Sequence, residues 1–498
     1  MQTSLLLSLV PLLLWSASAA AHVMQVPYNL PVPFWLYAYG ATGALLASFL
    51  VVGYFVRADS GSLQFRTVDL GGSRISAALT SPSFIGTLRV ASVLLLLLAI
   101  ATGLLGTSVP TRNFNITFFW VIFVLGFTYL TAVIGDVYRA INPLLVLCDW
   151  IEALRPGFLR GRIAYPQWLG YYPALILYMA FIWAELFGRT TPRVLSLSLL
   201  AYAGINLVAA WLLGKDAWFQ RGELFAVFFR LIAKLSPLEY RCGDGAGSRP
   251  SIGVRFPFVG LLSERADHFS LLLFVLFMLS STAYDGIHET VPWVSIFWKS
   301  IYPVLAQLIA TGNPQQYLVL VDYFYYWQWL MMLVSPFIYL AIYLGFIGIA
   351  KLITRTTVST RELALQFTFS LIPIAFVYNV THYFTLLIAQ GPFIVPLLSD
   401  PAGLGWNLFG TRGWYTQPLL LDAGVIWHTQ VGLILFGHIL SVYLAHVEAL
   451  KIFATNRQAA LSQVPLLLLM MILTTIGLWI LSLPIAAGQV LLPTPAGG

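Results

Sequence analysis

Apolar residues in this chain come in long blocks and not in alternation with polar ones. Ten blocks are long enough to cross a bilayer as helices, at approximately 33–55, 87–107, 114–135, 168–189, 193–213, 268–286, 324–350, 366–389, 423–446 and 464–485, since about 20 apolar residues span the hydrocarbon. The ten-residue alternation of a membrane β-barrel is not seen, and a helix satisfies its own backbone polar groups within lipid. The pattern predicts an all-α polytopic membrane helix bundle, a single integral-membrane domain over 22–498. The first block differs from the rest. "LLLSLVPLLLW" (Leu5 to Trp15) is too short to span, and "AAA" (Ala19 to Ala21) follows it. An apolar core ahead of small residues reads as a signal peptide over 1–21, whose removal makes His22 the first mature residue.

Three further segments are neither spans nor ordinary loops. "DAWFQRGELFAVFFRLIAKL" (Asp216 to Leu235) carries Arg221, Glu223, Arg230 and Lys234 among apolar residues. It reads as an amphipathic helix in the membrane interface. Val291 to Ala310 is flanked by Trp and interrupted by Pro303, which suggests an interfacial or re-entrant helix. Pro401 to Trp414 is rich in Gly and Trp, and its glycines allow close backbone approach to a neighbour.

Composition agrees with the pattern: 59% of the 498 residues are hydrophobic and 9% are charged. Charge adds an orientation. With ten spans and a cleaved signal, both mature ends lie on one side, and the Lys and Arg residues then divide 21 to 5 in favour of the other side. Cytoplasmic loops carry such an excess, so both termini are expected in the periplasm of a bacterial inner membrane. The same bias accounts for the net charge of +7, and no nucleic-acid partner is needed to explain it. Cys148 and Cys242 fall on the cytoplasmic side, where free thiols are expected.

The topology places each polar residue by depth, at about 1.5 Å per residue. His382 lies about 10 Å inside the outer end of its span, and His428 lies at a similar depth. Glu185, Asp285, His288, Glu289, Asp322, Asp400, Asp422 and His22 gather at the same face. His438 is near the midplane. His446 is at the cytoplasmic edge, where a solvated interfacial role is expected. An ionisable group within a span costs about 2.5–3.5 kcal/mol when charged. His382, flanked by Thr381 and Tyr383, therefore needs a partner. It either bonds a neighbouring helix as intramembrane glue or faces a shared polar pocket open to the periplasm. At the mature N-terminus, the free amine and imidazole of His22 would make a two-nitrogen chelate suited to copper or zinc.

"HVMQVPYNLPVPFWLY", "DVYRAINPL", "STAYDGI", "VTHYFTLLIAQG", "SDPAGLGWNLFG" and "FGHILSVYLAH" together resemble, in the same order, segments of the fenitrothion hydrolase family of bacterial membrane proteins. The likeness covers nearly the whole mature chain. It implies hydrolysis of an organophosphorus triester at a P–O-aryl bond. The positions that match are Asp285, His382, Asp400, Trp406, His438 and His446; His288 and His428 fall outside the pattern. The resemblance makes Asp285, Asp400 and Trp406 catalytic; His382 and His438, together with His22 from the mature N-terminus and His428 from its depth, are candidate ligands of a divalent metal, zinc or copper. A bound metal would lower the pKa of its water to about 7 and polarise the phosphoryl group. The substrate would be a small lipophilic ester drawn from the bilayer.

Two other classes use the same residues. An ion or solute transporter, copper-handling or otherwise, would employ the outer His/Asp set as its site, with or without a membrane partner subunit. A b-type haem held by His382 and His438 is disfavoured by their difference in depth, about 12 Å.

Overall fold

The computed structural model describes residues 33–56, 65–188, 190–241, 251–309, 316–415 and 417–483. The signal segment, His22 and Cys242 lie outside the described residues. Among the described residues, ten helices are long and apolar enough to cross a membrane: α1 Phe34–Phe55, α2 Pro82–Leu105, α3 Phe114–Ile134, α4 Gln167–Leu186, α5 Pro192–Leu213, then α7 Phe269–Ile287, α8 Leu320–Thr354, α9 Thr368–Ser399, α10 Ala423–Ile452 and α11 Asn456–Ser482. A shorter apolar helix, α6 Leu224–Ala233, lies between α5 and α7. The chain is an all-α polytopic bundle of the kind its apolar blocks predict.

Helix starts follow ordinary capping chemistry. Ser81 caps α2, Thr191 caps α5, Asp422 caps α10 and Thr455 caps α11, each by accepting from a backbone N–H of the first turn, which satisfies a donor the helix itself cannot. Pro follows the cap at Pro82 and Pro192, where its missing N–H costs nothing. The α7 helix is the centre of the bundle. It packs on α4, α8 and α9, and 15 of its 19 residues are buried. Two glycines let the outer layer close on α9: a Cβ at Gly477 of α11 would stand 1.7 Å from the Tyr378 hydroxyl, and one at Gly437 of α10 would stand 2.3 Å from a Val377 methyl.

The Asp216–Leu235 segment departs from its expected form. It is two helices, Lys215–Arg221 and α6, broken at Gly222. The second does not lie with one face open. Leu224, Phe225, Val227, Phe229, Leu231, Ile232 and Ala233 are buried. Phe225 packs on Phe119, Phe123 and Phe181, and Phe229 on Phe127 and Tyr138. Two of the charged positions that suggested an interface find partners toward its C-terminal end: Arg230 stacks over the Tyr171 ring at 5.9 Å, and Lys234 pairs with Glu264 at 3.0 Å. Val291 to Ile309 stays helical through Pro303, accommodated by a wide turn over Phe297–Ile301. A small antiparallel sheet that hydropathy did not signal joins β1 Val68–Asp69, β2 Leu238–Arg241 and β3 Ser251–Val254 in the order β1-β3-β2.

Candidate functional site

Burial of α7 makes its polar residues answerable to neighbouring helices, because an unpaired polar group in an apolar setting is costly. Asp285 stands near the C-terminal end of α7 and is buried. His382 and Tyr383, adjacent on α9, both reach its carboxylate. His382 Nε2 lies 2.7 Å from Asp285 Oδ2, and the Tyr383 hydroxyl donates to the same oxygen at 2.6 Å. Glu185, from the last turn of α4, completes the group beside Tyr383, Asp285 and His382. Three helices thus bring together two carboxyls, an imidazole and a phenol.

A polar frame holds α7 in register. His288, one turn beyond Asp285, sits with Nδ1 2.9 Å from the Asp285 carbonyl and 3.8 Å from Oδ1. Its ring stacks on Tyr284 at 5.5 Å. Gln328 of α8 accepts from the Tyr284 hydroxyl at 2.5 Å and from Trp293 Nε1 at 2.8 Å, and donates to the His288 carbonyl at 3.0 Å. These bonds hold the end of α7 that carries Asp285.

The cluster separates two small cavities. Glu185, Asp285 and Tyr383 line the first, which offers about 30 Å³ to the centre of a water molecule. His382 lines the second, about 20 Å³ by the same measure, together with Tyr378, Thr381 and Gly477. Thr282 borders both. One water centre needs about 10–15 Å³, so the first cavity has room for two or three waters and the second for one or two. The Asp285–His382 bond crosses from the wall of one cavity to the wall of the other.

The other candidates stand elsewhere. His438 is fully buried on α10, its Nδ1 2.8 Å from the Ile434 carbonyl and its ring beside Tyr378. Nε2 makes no hydrogen bond among the described residues. His428 is exposed, bonded to the Gly424 carbonyl and edge-on to Tyr37. Asp400 is buried, but its carboxylate accepts from Leu404 N at 2.9 Å and Gly405 N at 2.8 Å, so it shapes its own loop. Trp406 is 47% exposed on that loop. His446 corrects the expectation of a solvated edge position: it is 1% exposed, with Nε2 3.1 Å from the Val56 carbonyl at the end of α1. Glu185 and Tyr383 are the members that sequence reasoning left out of its site. Both carried a signal, Glu185 in its depth and Tyr383 in its position next to His382.

Asp285 and His382 bond to each other, and among the described residues no three His, Cys, Asp or Glu side chains form a group able to hold an ion. What the arrangement suits is proton chemistry. With two carboxyls and one imidazole, its charge runs from −2 to +1 as three protons are taken up.

No protein family, curated protein or solved structure matches this chain.

Proposed function

We propose that the protein is an ion-coupled transporter of a bacterial inner membrane, and that Asp285, His382, Tyr383 and Glu185 form its proton-exchanging site near the periplasmic face. The observation behind this reading is the shared oxygen: one carboxylate oxygen, inside a helix that is almost wholly buried, is held by both an imidazole at 2.7 Å and a phenol at 2.6 Å. Ionisable groups at such depth are expensive, and they mark ion pathways and proton relays. Small cavities on either side of the pair provide room for the waters that a relay needs. The orientation rests on the basic loops, which gather at the opposite end of the bundle.

The test is a pH step applied to the full chain in proteoliposomes on a solid-supported electrode. The wild type should give a transient charge movement that Asp285→Asn abolishes. Equal responses from the two proteins would overturn the reading.

A second reading, hydrolysis of a lipophilic phosphotriester, draws on the family resemblance and on the same Asp285–His382 geometry. A buried carboxylate that orients an imidazole is how hydrolases prepare a general base. Nitrophenol release from an aryl phosphotriester, lost in His382→Gln, would favour it. It requires the cavity to open well beyond the size of a water.

A further inference from the structure

The loop between the helix Pro143–Leu154 and α4 is held at several points. Glu152, in the last turn of that helix, turns both carboxylate oxygens back onto the loop and accepts from Gly157 N at 2.5 Å and Leu159 N at 2.8 Å. Farther on, Arg162 N and Ile163 N donate to the Leu212 carbonyl at 2.7 and 2.9 Å, and Lys215 N donates to the Leu159 carbonyl at 3.1 Å. The loop therefore runs against the end of α5. Two glycines allow the approach. Gly161 and Gly214 have φ of +92° and +88°, and a Cβ on Gly161 would stand 2.8 Å from Gly214 N, so both positions suit a residue without a side chain.

Arg155, Arg160 and Arg162 stand on this loop and are exposed. Among the described residues no ion pair joins any of the three to a carboxylate, because the acids nearby are engaged elsewhere. Glu152 holds the loop backbone, and Arg160 feels its charge without pairing with it. Asp149 is shared by Arg89 and Lys215, and Lys215 also faces Asp216. Two tryptophans mark the depth of this surface. The Arg162 guanidinium stacks over the ring of Trp211, in the last turn of α5, at 5.6 Å. Trp168, at the start of α4, is 72% exposed. Trp gathers at the headgroup level of a bilayer, so the arginines stand at the level of lipid phosphate. Leu154 and Ile163, both exposed, add apolar surface on either side.

We propose that this loop and the adjoining ends of α4 and α5 bind an anionic phospholipid, with its phosphate held by Arg160 and Arg162 and its acyl chains lying along Ile163, Trp168 and Trp211. Guanidinium suits the role, because its planar fork of N–H groups pairs with phosphate oxygens two at a time. Those N–H groups lie in the plane of the cation and stay free when an aromatic ring covers its face. Charge alone would also suit a soluble anion or an acidic protein. The exposed apolar residues and the depth set by the two tryptophans select a lipid. The loop is already clamped to Leu212 and Lys215, so little further ordering opposes binding. The inference is independent of transport and needs only a bilayer around the ten helices.

The experiment counts the lipid retained by the full-length protein in nonionic detergent, by native mass spectrometry, as phosphatidylglycerol or phosphatidylcholine is titrated in. Phosphatidylglycerol should be retained saturably and far more strongly than phosphatidylcholine. Arg160→Gln and Arg162→Gln should each lower its apparent affinity about fivefold, the worth of one basic residue near an anionic surface, while Tm in lipid-free detergent stays near the wild-type value. Trp168→Ala should weaken retention as well. Arg457, exposed at the start of α11, serves as the control, and Arg457→Gln should leave retention unchanged. Equal retention of the two lipids would overturn the proposal, and so would unchanged affinity in both loop variants. An equal loss in Arg457→Gln would mean a general attraction of basic residues and no site. Displacement of the lipid by inorganic phosphate at matched ionic strength, with Trp168→Ala indistinguishable from the wild type, would assign the arginines to a soluble anion instead.

Discussion

His382 Nε2 and Asp285 Oδ2 meet at 2.7 Å across two helices, and the same Oδ2 accepts the Tyr383 hydroxyl at 2.6 Å. The two donors are unequal in what their loss leaves behind. Asp285→Ala would strand an imidazole and a phenol, and removing one partner of a buried pair costs about 3–5 kcal/mol. Tyr383→Phe removes one donor from a carboxylate that keeps His382, and an intramembrane hydrogen bond of this kind is worth about 0.6–2 kcal/mol. Equilibrium unfolding in SDS should show Asp285→Ala at least about 1 kcal/mol below Tyr383→Phe, by the difference of those ranges. Equal losses would mean that the carboxylate is not the hub of the cluster.

The pairing of Asp285 with His382 was legible in the sequence, because both fall toward the outer ends of apolar spans and each needs a partner. Depth gives only the position along a helix axis, however, and not the direction around it. His438 and His428 stand on the same helix, α10, yet one turns inward to Tyr378 and the other outward past Tyr37. The hydrophobic pattern of α10 cannot decide between them, since apolar residues face both lipid and protein. Glu185 was equally ambiguous, because a carboxyl one turn from a span end looks like any interfacial acid.

A second buried carboxyl makes a stability prediction independent of function. Glu223 is fully buried and caps α6. Its oxygens accept from Phe225 N at 3.0 Å, Ala226 N at 2.6 Å and Asn142 Nδ2 at 3.1 Å, and from the Tyr202 hydroxyl. Asn142 itself caps the helix Pro143–Leu154. One bond thus ties two helix starts together. Glu223→Ala loses a cap, worth about 0.5–2 kcal/mol, and orphans two side-chain donors at about 1–3 kcal/mol each. A loss of about 3 kcal/mol or more is expected from these terms. A Tm within a degree of the wild type would show that α6 does not depend on this cap.

The same residue bears on the form that α6 takes. Glu223, Arg230 and Lys234 look like the polar face of a surface helix. In the structure they stand at its two ends, Glu223 as cap and Arg230 and Lys234 toward Tyr171 and Glu264. Phe225 and Phe229 are four positions apart, so both aromatic rings fall on one side and fill the space between α3 and α4. Hydropathy registers the ten long blocks without this information, because a span needs only length and apolar content. Whether a ten-residue apolar helix lies on the bundle or within it depends on partners far away in sequence.

Cys148 offers a chemical probe of the smaller core. It is fully buried with Leu144, Leu159, Ala210, Trp218 and Phe219. Burial, and then the neighbouring Asp149 carboxylate, push its thiol up to about 12. The thiolate is the reactive form, so at pH 8 only about one thiol in 10⁴ would be ionised. In a Cys242→Ser background, N-ethylmaleimide should leave the native protein unlabelled from pH 7 to 9 and label it fully after SDS denaturation. Rapid native labelling that accelerates through pH 8–9 would place Cys148 in contact with solvent.

Asp400 and Trp406 are the two residues for which resemblance and geometry suggest different duties. The family likeness implies that both are catalytic. The structure puts the Asp400 carboxylate under its own loop, on Leu404 N and Gly405 N, while Ser399 Oγ holds Phe409 N and Thr411 N. Gly403 and Gly405, with φ of +66° and +98°, supply the left-handed turns that let those N–H groups converge. The Trp406 ring is carried outward, and neither residue contacts Asp285, His382 or Tyr383 through any of these bonds. Asp400→Asn halves the charge-assisted bonding and should loosen the segment 401–415, seen as faster limited proteolysis and faster amide exchange there, with a stability cost of about 1–3 kcal/mol. Trp406→Ala should leave stability within about 0.5 kcal/mol, as exposed substitutions do. The charge movement assigned to Asp285 should survive both changes. If Trp406→Ala removed it while the fold stayed intact, the loop would belong to the working site, and the transport pathway would have to run beneath Trp406.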